Sequence, residues 1–168
     1  NTLYPEKINF NNRSINYLYE DICENSLKEK HFDNISCIST LEHIGFDNSH
    51  YNYRNNSKNK IKFNNLKYLI ALKKIKKLLK TKSKFFISIP FGKKKVYKNL
   101  QQFNSNDLIK IFNIFKNFKK KVIFYKYVNG AWIFSSETEC KNMEPVVKKN
   151  DNEFVLSAKS IVLIKLSK

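Results

Sequence analysis

Glu42 and His43 stand side by side, just past Ile35-Ser36-Cys37-Ile38-Ser39-Thr40, a run of mostly small or β-branched residues that follows Asp33 and Asn34. An imidazole changes charge near neutral pH, so His43 is suited to take a proton from an acceptor hydroxyl or amine. Glu42 is suited to bind a cationic or hydroxylated group, and the bland alternative is that it braces the helix that follows. Asp21 is a second carboxylate of interest, placed with Glu20 directly after Tyr17-Leu18-Tyr19. His50, Tyr51 and Tyr53 fall in an Asn-rich stretch that could gate a pocket or simply be solvated loop. Trp132, near Glu137 and Glu139, could wall an acceptor site or anchor an insert.

These groups need elements to position them. The run from Ile35 to Thr40 is too short and too β-branched for a full helix face and is expected to be a buried strand. In an open parallel sheet, ligands bind beyond the carboxyl ends of the strands, where Glu42 and His43 would sit. From about Lys62 a helix is predicted, because Leu66, Leu69, Ile70, Leu72, Ile75, Leu78 and Leu79 recur at steps near three and four. Phe85 to Ile89 is a strand closed by Pro90 and Gly92. Ser105 is the expected N-cap of a helix carrying Leu108, Ile111, Phe112, Phe115 and Phe118. Val122 to Val128 and Ser160 to Leu166 are further strands, separated by a turn at Asn129-Gly130 and a weakly structured insert, Ala131 to Asn152. This order is α/β, with an antiparallel pair at the end.

With 168 residues the chain is long enough for a single core, and it is expected to be one domain with an irregular start at 1–16. No apolar stretch approaches the ~20 residues of a membrane span. Cys23, Cys37 and Cys140 show no C-x-x-C spacing, which suits a reduced, cytoplasmic protein. The net charge of +18 invites a nucleic-acid reading, but of the 32 Lys and Arg only Arg13 and Arg54 are arginine. Bidentate recognition of phosphate or guanine relies on Arg, so drift in composition toward Lys, Asn and Ile accounts for the charge better than a nucleic-acid surface does. The runs Lys93 to Lys95 and Lys119 to Lys121 are expected to be solvated loop charge.

The residues Phe32 to Gly45, FDNISCISTLEHIG, resemble the fourth-strand region of class I S-adenosylmethionine-dependent methyltransferases. Leu69 to Lys80 is similar to the helix that family places before its fifth strand, and Lys84 to Gly92 to that strand and its Pro-ended loop. The resemblance spans about Tyr17 to Gly92, with a looser fit in the last third. It implies a Rossmann-like, mostly parallel sheet with helices on both faces. The cofactor it implies is S-adenosylmethionine, with methyl transfer to a small-molecule or glycan-type acceptor. It further implies that Asp21 hydrogen-bonds the adenine amino group and that Ser39, Thr40 and Leu41 wall the cofactor. His43 and Glu42 then serve the acceptor. Some members bind a divalent metal through E-x-x-E-H; here Ser39 stands in place of the first Glu, so no metal site is expected. The family's glycine-rich turn is missing, since no glycine precedes Gly45. The chain therefore reads as a domain truncated at its N-terminus. Two other readings remain open at this point: a catalytically dead interaction module, and a basic RNA-binding protein or RNA methyltransferase.

Overall fold

The computed structural model describes residues 20–24, 26–46, 63–150 and 153–168, with backbone alone at 147–150 and 153–156. The expectations for 1–19, for the loop with His50, Tyr51 and Tyr53, and for a helix start at Lys62 lie outside the described residues.

Strand β1 (Phe32–Ile38) leads through a 3-10 turn (Leu41–His43) and on to helix α1 (Lys67–Leu78). Then come strand β2 (Leu79–Pro90), a short hairpin of β3 (Lys95–Val96) and β4 (Gln101–Gln102), and helix α2 (Ser105–Ile114). Strands β5 (Lys119–Val128) and β6 (Ala131–Ser135), helix α3 (Glu137–Cys140) and strands β7 (Val146–Asn150), β8 (Glu153–Ser157) and β9 (Ser160–Ser167) complete the chain.

The main sheet has the order β1-β2-β9-β5-β6. β1 and β2 pair parallel, while β9 runs antiparallel to both of its neighbours, β2 and β5. Thus β1, β2 and β5 share one direction, and β9 is inserted between two of them. The α/β class and the antiparallel ending are both present. β7 and β8 form a separate two-stranded ladder.

One face of the sheet makes the core. Phe85, Ile87 and Ile89 of β2 lie opposite Leu166, Ile164 and Val162 of β9. All six are buried together with Tyr68, Leu72 and Ile75 of α1 and with Leu108 and Ile111 of α2. Each such side chain contributes about 1.5–3 kcal/mol when fully buried. Helices on both faces were expected; among the described residues α1 and α2 lie together on one. The steps β1 to β2 and β2 to β5 advance across the sheet in the same sense, and right-handed crossovers in one sense leave their helices on one side.

Several boundaries move for identifiable reasons. Leu79 and Lys80, expected in the helix, belong to β2, because Leu79 adopts an extended conformation and pairs with Phe32. The N-cap of α2 is Asn104, not Ser105: its side chain accepts from the Asp107 N–H, and Asp107 accepts in return from the Asn104 N–H. Of the insert Ala131 to Asn152, read as weakly structured, the described residues hold β6, α3 and β7. β6 pairs with β5 from Phe124–Ser135 to Val128–Ala131, and this long-range pairing supplies the order that local pattern did not show. Lys119 to Lys121 open β5 rather than a loop. Among the described residues no helix is long and apolar enough to cross a membrane.

Candidate active site

The site forms where β1 ends. Ser39 adopts φ 46°, in the left-handed region that costs a non-glycine residue on the order of 1 kcal/mol, and this bend stops the strand. Its N–H still bonds the Ser88 carbonyl at 3.0 Å, which fixes the bend to the end of β2. The 3-10 turn closes through the His43 N–H to the Thr40 carbonyl at 3.1 Å. Gly45 then passes so close to α1 that a Cβ there would strike the Asn64 carbonyl, and its φ of 89° suits glycine alone.

That bend sends neighbouring residues to different places. Ser39, Glu42 and His43 line a cavity of about 250 Å³ with Pro90, Leu100, Gln102, Pro145, Ala158 and Ile161. Thr40 lines a separate, larger cleft of about 540 Å³ along β1, together with Ile22, Ile38 and Ile44. Leu41 is wholly buried, with its side chain in the core cluster and in the lining of neither space.

Glu42 is only 5% exposed, and burial pushes its carboxyl up to about 7, with its own backbone N–H pulling the other way. Its Oε2 has no hydrogen-bond partner among the described residues. His43 is half-buried, and its Nδ1 lies 3.0 Å from the Asn99 carbonyl oxygen. A carbonyl only accepts, so Nδ1 carries the hydrogen in this contact.

Asn99 belongs to the β3–β4 hairpin, which forms the opposite wall and contributes Gln102. The Gln102 Nε2 donates to the Lys93 carbonyl at 3.0 Å and the Met143 carbonyl at 2.9 Å. Two carbonyl partners fix the amide orientation and leave Oε1, which has no partner among the described residues. Gly92 makes this packing feasible, since a Cβ there would collide with the Met143 carbonyl and crowd Gln102. Sequence reasoning missed Gln102. Its only local signal is a polar pair, Gln101-Gln102, between an apolar strand and a capped helix, and that pattern is common in loops.

Beneath the hairpin lies a buried polar cluster that sequence reasoning also missed. Lys94, expected as solvated charge, bonds Asp107 at 2.6 Å and the Gln101 Oε1 at 2.8 Å. The Tyr68 hydroxyl donates to Asp107 at 3.1 Å, and burial beside that carboxylate raises its own ionisation well above the usual range.

Asp21 lies in neither cavity's lining. Its carboxylate accepts from the Cys23 N–H at 2.8 Å and pairs with Lys67 at 2.9 Å. Burial raises its pKa, but those two partners together bring it below the ordinary value. Cys37 is buried in the core with its thiol pushed up to about 11 by burial, as an inert small residue would be. Trp132 sits on β6 beside a third cavity of about 390 Å³, whose wall shares Ala158 with the Glu42 cavity.

No protein-family model matches the chain, and no curated protein matches it in sequence. Solved structures do match its fold. A SAM-dependent methyltransferase from Archaeoglobus fulgidus superposes with a TM-score of 0.53 at 15% identity, over 99% of this chain and 73% of that one. One from Thermotoga maritima gives 0.45 at 16% identity, over 89% of this chain and 62% of its own length. The Burkholderia thailandensis 1,6-didemethyltoxoflavin-N1-methyltransferase, solved with bound 1,6-didemethyltoxoflavin and S-adenosylhomocysteine, gives 0.48 at 12% identity. The match covers 90% of this chain and 49% of that enzyme, so the chain spans 49% to 62% of the length of the latter two proteins. The architecture of this chain is that of the class I S-adenosylmethionine-dependent methyltransferase fold.

Proposed function

We propose that this chain takes part in methyl transfer from S-adenosylmethionine to a small-molecule acceptor. One observation carries the reading. Ser39 and Thr40, adjacent just past the end of β1, face two different spaces: a cavity lined in part by Glu42 and His43, and a larger cleft lined with isoleucine. The two spaces lie on either side of a single residue step, so a cofactor in one and an acceptor in the other would have to be brought together at that step, and holding reactants in contact supplies much of the rate in such displacements.

The cleft suits a nucleoside. Ile22, Ile38 and Ile44 offer an apolar surface, and Thr40 brings a polar group to its rim. Asp21, next in sequence to Ile22, keeps acceptor capacity beyond its bonds to Cys23 and Lys67, since a carboxylate can accept about four hydrogen bonds. Asp21 would hold the adenine amino group, and Ser39 and Thr40 the sugar and sulfur side. When bound, the cofactor supplies a methyl group activated by a positively charged sulfur. His43, held by the Asn99 carbonyl, would serve as the base for the acceptor's proton, and Glu42 would orient the acceptor.

Isothermal titration of the purified chain with S-adenosylhomocysteine tests this. The expected result is micromolar binding, weakened about tenfold (about 1.4 kcal/mol) by Asp21→Ala. No heat from a demonstrably folded protein would overturn the reading for this chain.

A further inference from the structure

Drift toward lysine accounts for the number of cations but not for where the fold puts them. The end of the main sheet opposite the Glu42 cavity, where β1, β2 and β5 begin and β9 stops, is built from 28–33, 73–84, 114–121 and 165–168. Hydrogen bonds tie these segments together. The Lys30 N–H donates to the Lys77 carbonyl at 2.8 Å, the Lys168 N–H to the Ser83 carbonyl at 3.1 Å, and Lys76 Nζ to the Ile114 carbonyl at 2.6 Å. The four segments hold fifteen lysines against two acids, Glu29 and Asp33. All other described residues together hold eleven lysines against nine acids. Nearly all the surplus charge of the described residues therefore sits at one end, whereas drift alone would spread it.

The centre of this end is on the sheet. Lys121 of β5 and Lys165 of β9 are direct cross-strand partners, and Lys84 of β2 and Lys119 of β5 flank Ser167 one row further along. Positions two apart on a strand share a face, so all four side chains stand on the face away from α1 and α2. None of the four has a carboxylate partner among the described residues. Like charges directly opposite each other destabilise a sheet, and an anion laid across them reverses that cost. None of the exposed large apolar side chains falls within the four segments. A protein partner or a membrane surface draws on apolar contact. A nucleic-acid backbone needs none, because its affinity comes from phosphates neutralised and counterions released.

We infer that this end of the sheet docks the phosphate backbone of a nucleic acid. The four segments contain lysine and no arginine, so they neutralise phosphate without reading bases, and binding is indifferent to sequence. Along β2, Lys82 stands about 27 Å from Pro90 of the Glu42 cavity, so the two surfaces are separate and this inference does not rest on methyl transfer.

The test is fluorescence anisotropy of a labelled, mixed-sequence DNA duplex of about 20 base pairs, titrated with the whole chain over a range of salt. The combined variant Lys84→Gln, Lys119→Gln, Lys121→Gln and Lys165→Gln should weaken binding at least about tenfold at about 0.1 M salt, and should flatten the slope of log K against log salt by about 3.6. The combined variant Lys95→Gln, Lys98→Gln, Lys141→Gln and Lys159→Gln removes the same net charge elsewhere and should bind within about threefold of the parent, since about 10 Å of screening separates the two groups. In the unaltered 15N-labelled chain, the duplex should shift the backbone amide signals of Lys84, Lys119, Lys121 and Lys165 and leave those of Glu42 and His43 in place. A duplex of different sequence should bind equally. Equal losses in the two variants would make net charge the cause and overturn the proposal. Tighter binding to phosphatidylserine vesicles than to the duplex would also overturn it, as would no binding at about 0.05 M salt.

Discussion

Glu42 holds its proton up to about pH 7 because burial penalises its charged form. The unfolded chain releases that proton near the ordinary value of 4.5. Between those two values the folded state binds more protons than the unfolded state, so stability falls as pH rises through the window. Above about pH 7 the full cost is present, about 3 kcal/mol for a shift of this size. Glu42→Gln removes the ionisation, so in urea unfolding the variant should exceed its parent by about that amount at pH 8 and match it near pH 4.5. An equal difference at both values would mean that packing, not charge, separates the two proteins. At this scale the sequence exposed the carboxylate and imidazole through their adjacency after a strand. It could not show that Leu41 turns into the core while Glu42 turns into a cavity, because a 3-10 turn assigns those directions.

At the scale of elements, Asp107 ties three of them together. It caps α2 with Asn104, accepts from Tyr68 of α1 and pairs with Lys94 at the hairpin. Asp107→Ala should cost about 3 kcal/mol in urea unfolding, since it leaves a partly buried ammonium and an N-terminal turn without their acceptor. Tyr68→Phe removes one neutral-donor bond and should cost about 1 kcal/mol. The double variant should lose less than the sum, because both changes remove the same contact; strict additivity would show that the cluster does not act as a unit. The strands and α1 were legible because their apolar spacing is local. The hairpin and β6 were not. Their order comes from partners far along the chain: Gln101 bonds the Asn65 carbonyl, and Phe134 of β6 pairs with Tyr125.

Over the whole molecule, 32 basic residues face 14 acidic ones. Asp21, Glu29, Asp33, Asp107, Glu139 and Glu144 all serve in ion pairs with lysine, and the excess of +18 remains. Like charge held in a compact body repels itself. Raising salt from about 0.01 M to about 0.15 M shortens the screening length from about 30 Å to about 8 Å. The urea midpoint should therefore rise with salt over that range; a fall would show that the attractive pairs outweigh the surplus. Charge was fully legible from composition. Its distribution was not, since Lys94 turned out to be half-buried against Asp107.

The sequence alone determined the class of the fold and placed the Glu42–His43 pair just past the end of a strand. Strand and helix periods are local, and a carboxylate and imidazole just past a buried strand fall at the strand's carboxyl end whatever surrounds them. Tertiary structure alone decided which residues share a cavity. The hairpin brings Asn99 and Gln102 across from Glu42 and His43, some sixty residues earlier, through the buried cluster at Asp107. No local pattern encodes that meeting, because it depends on two segments packing against a common core. The same packing buries one oxygen each of Glu42 and Gln102 with no partner among the described residues, where the sequence shows only scattered polar residues.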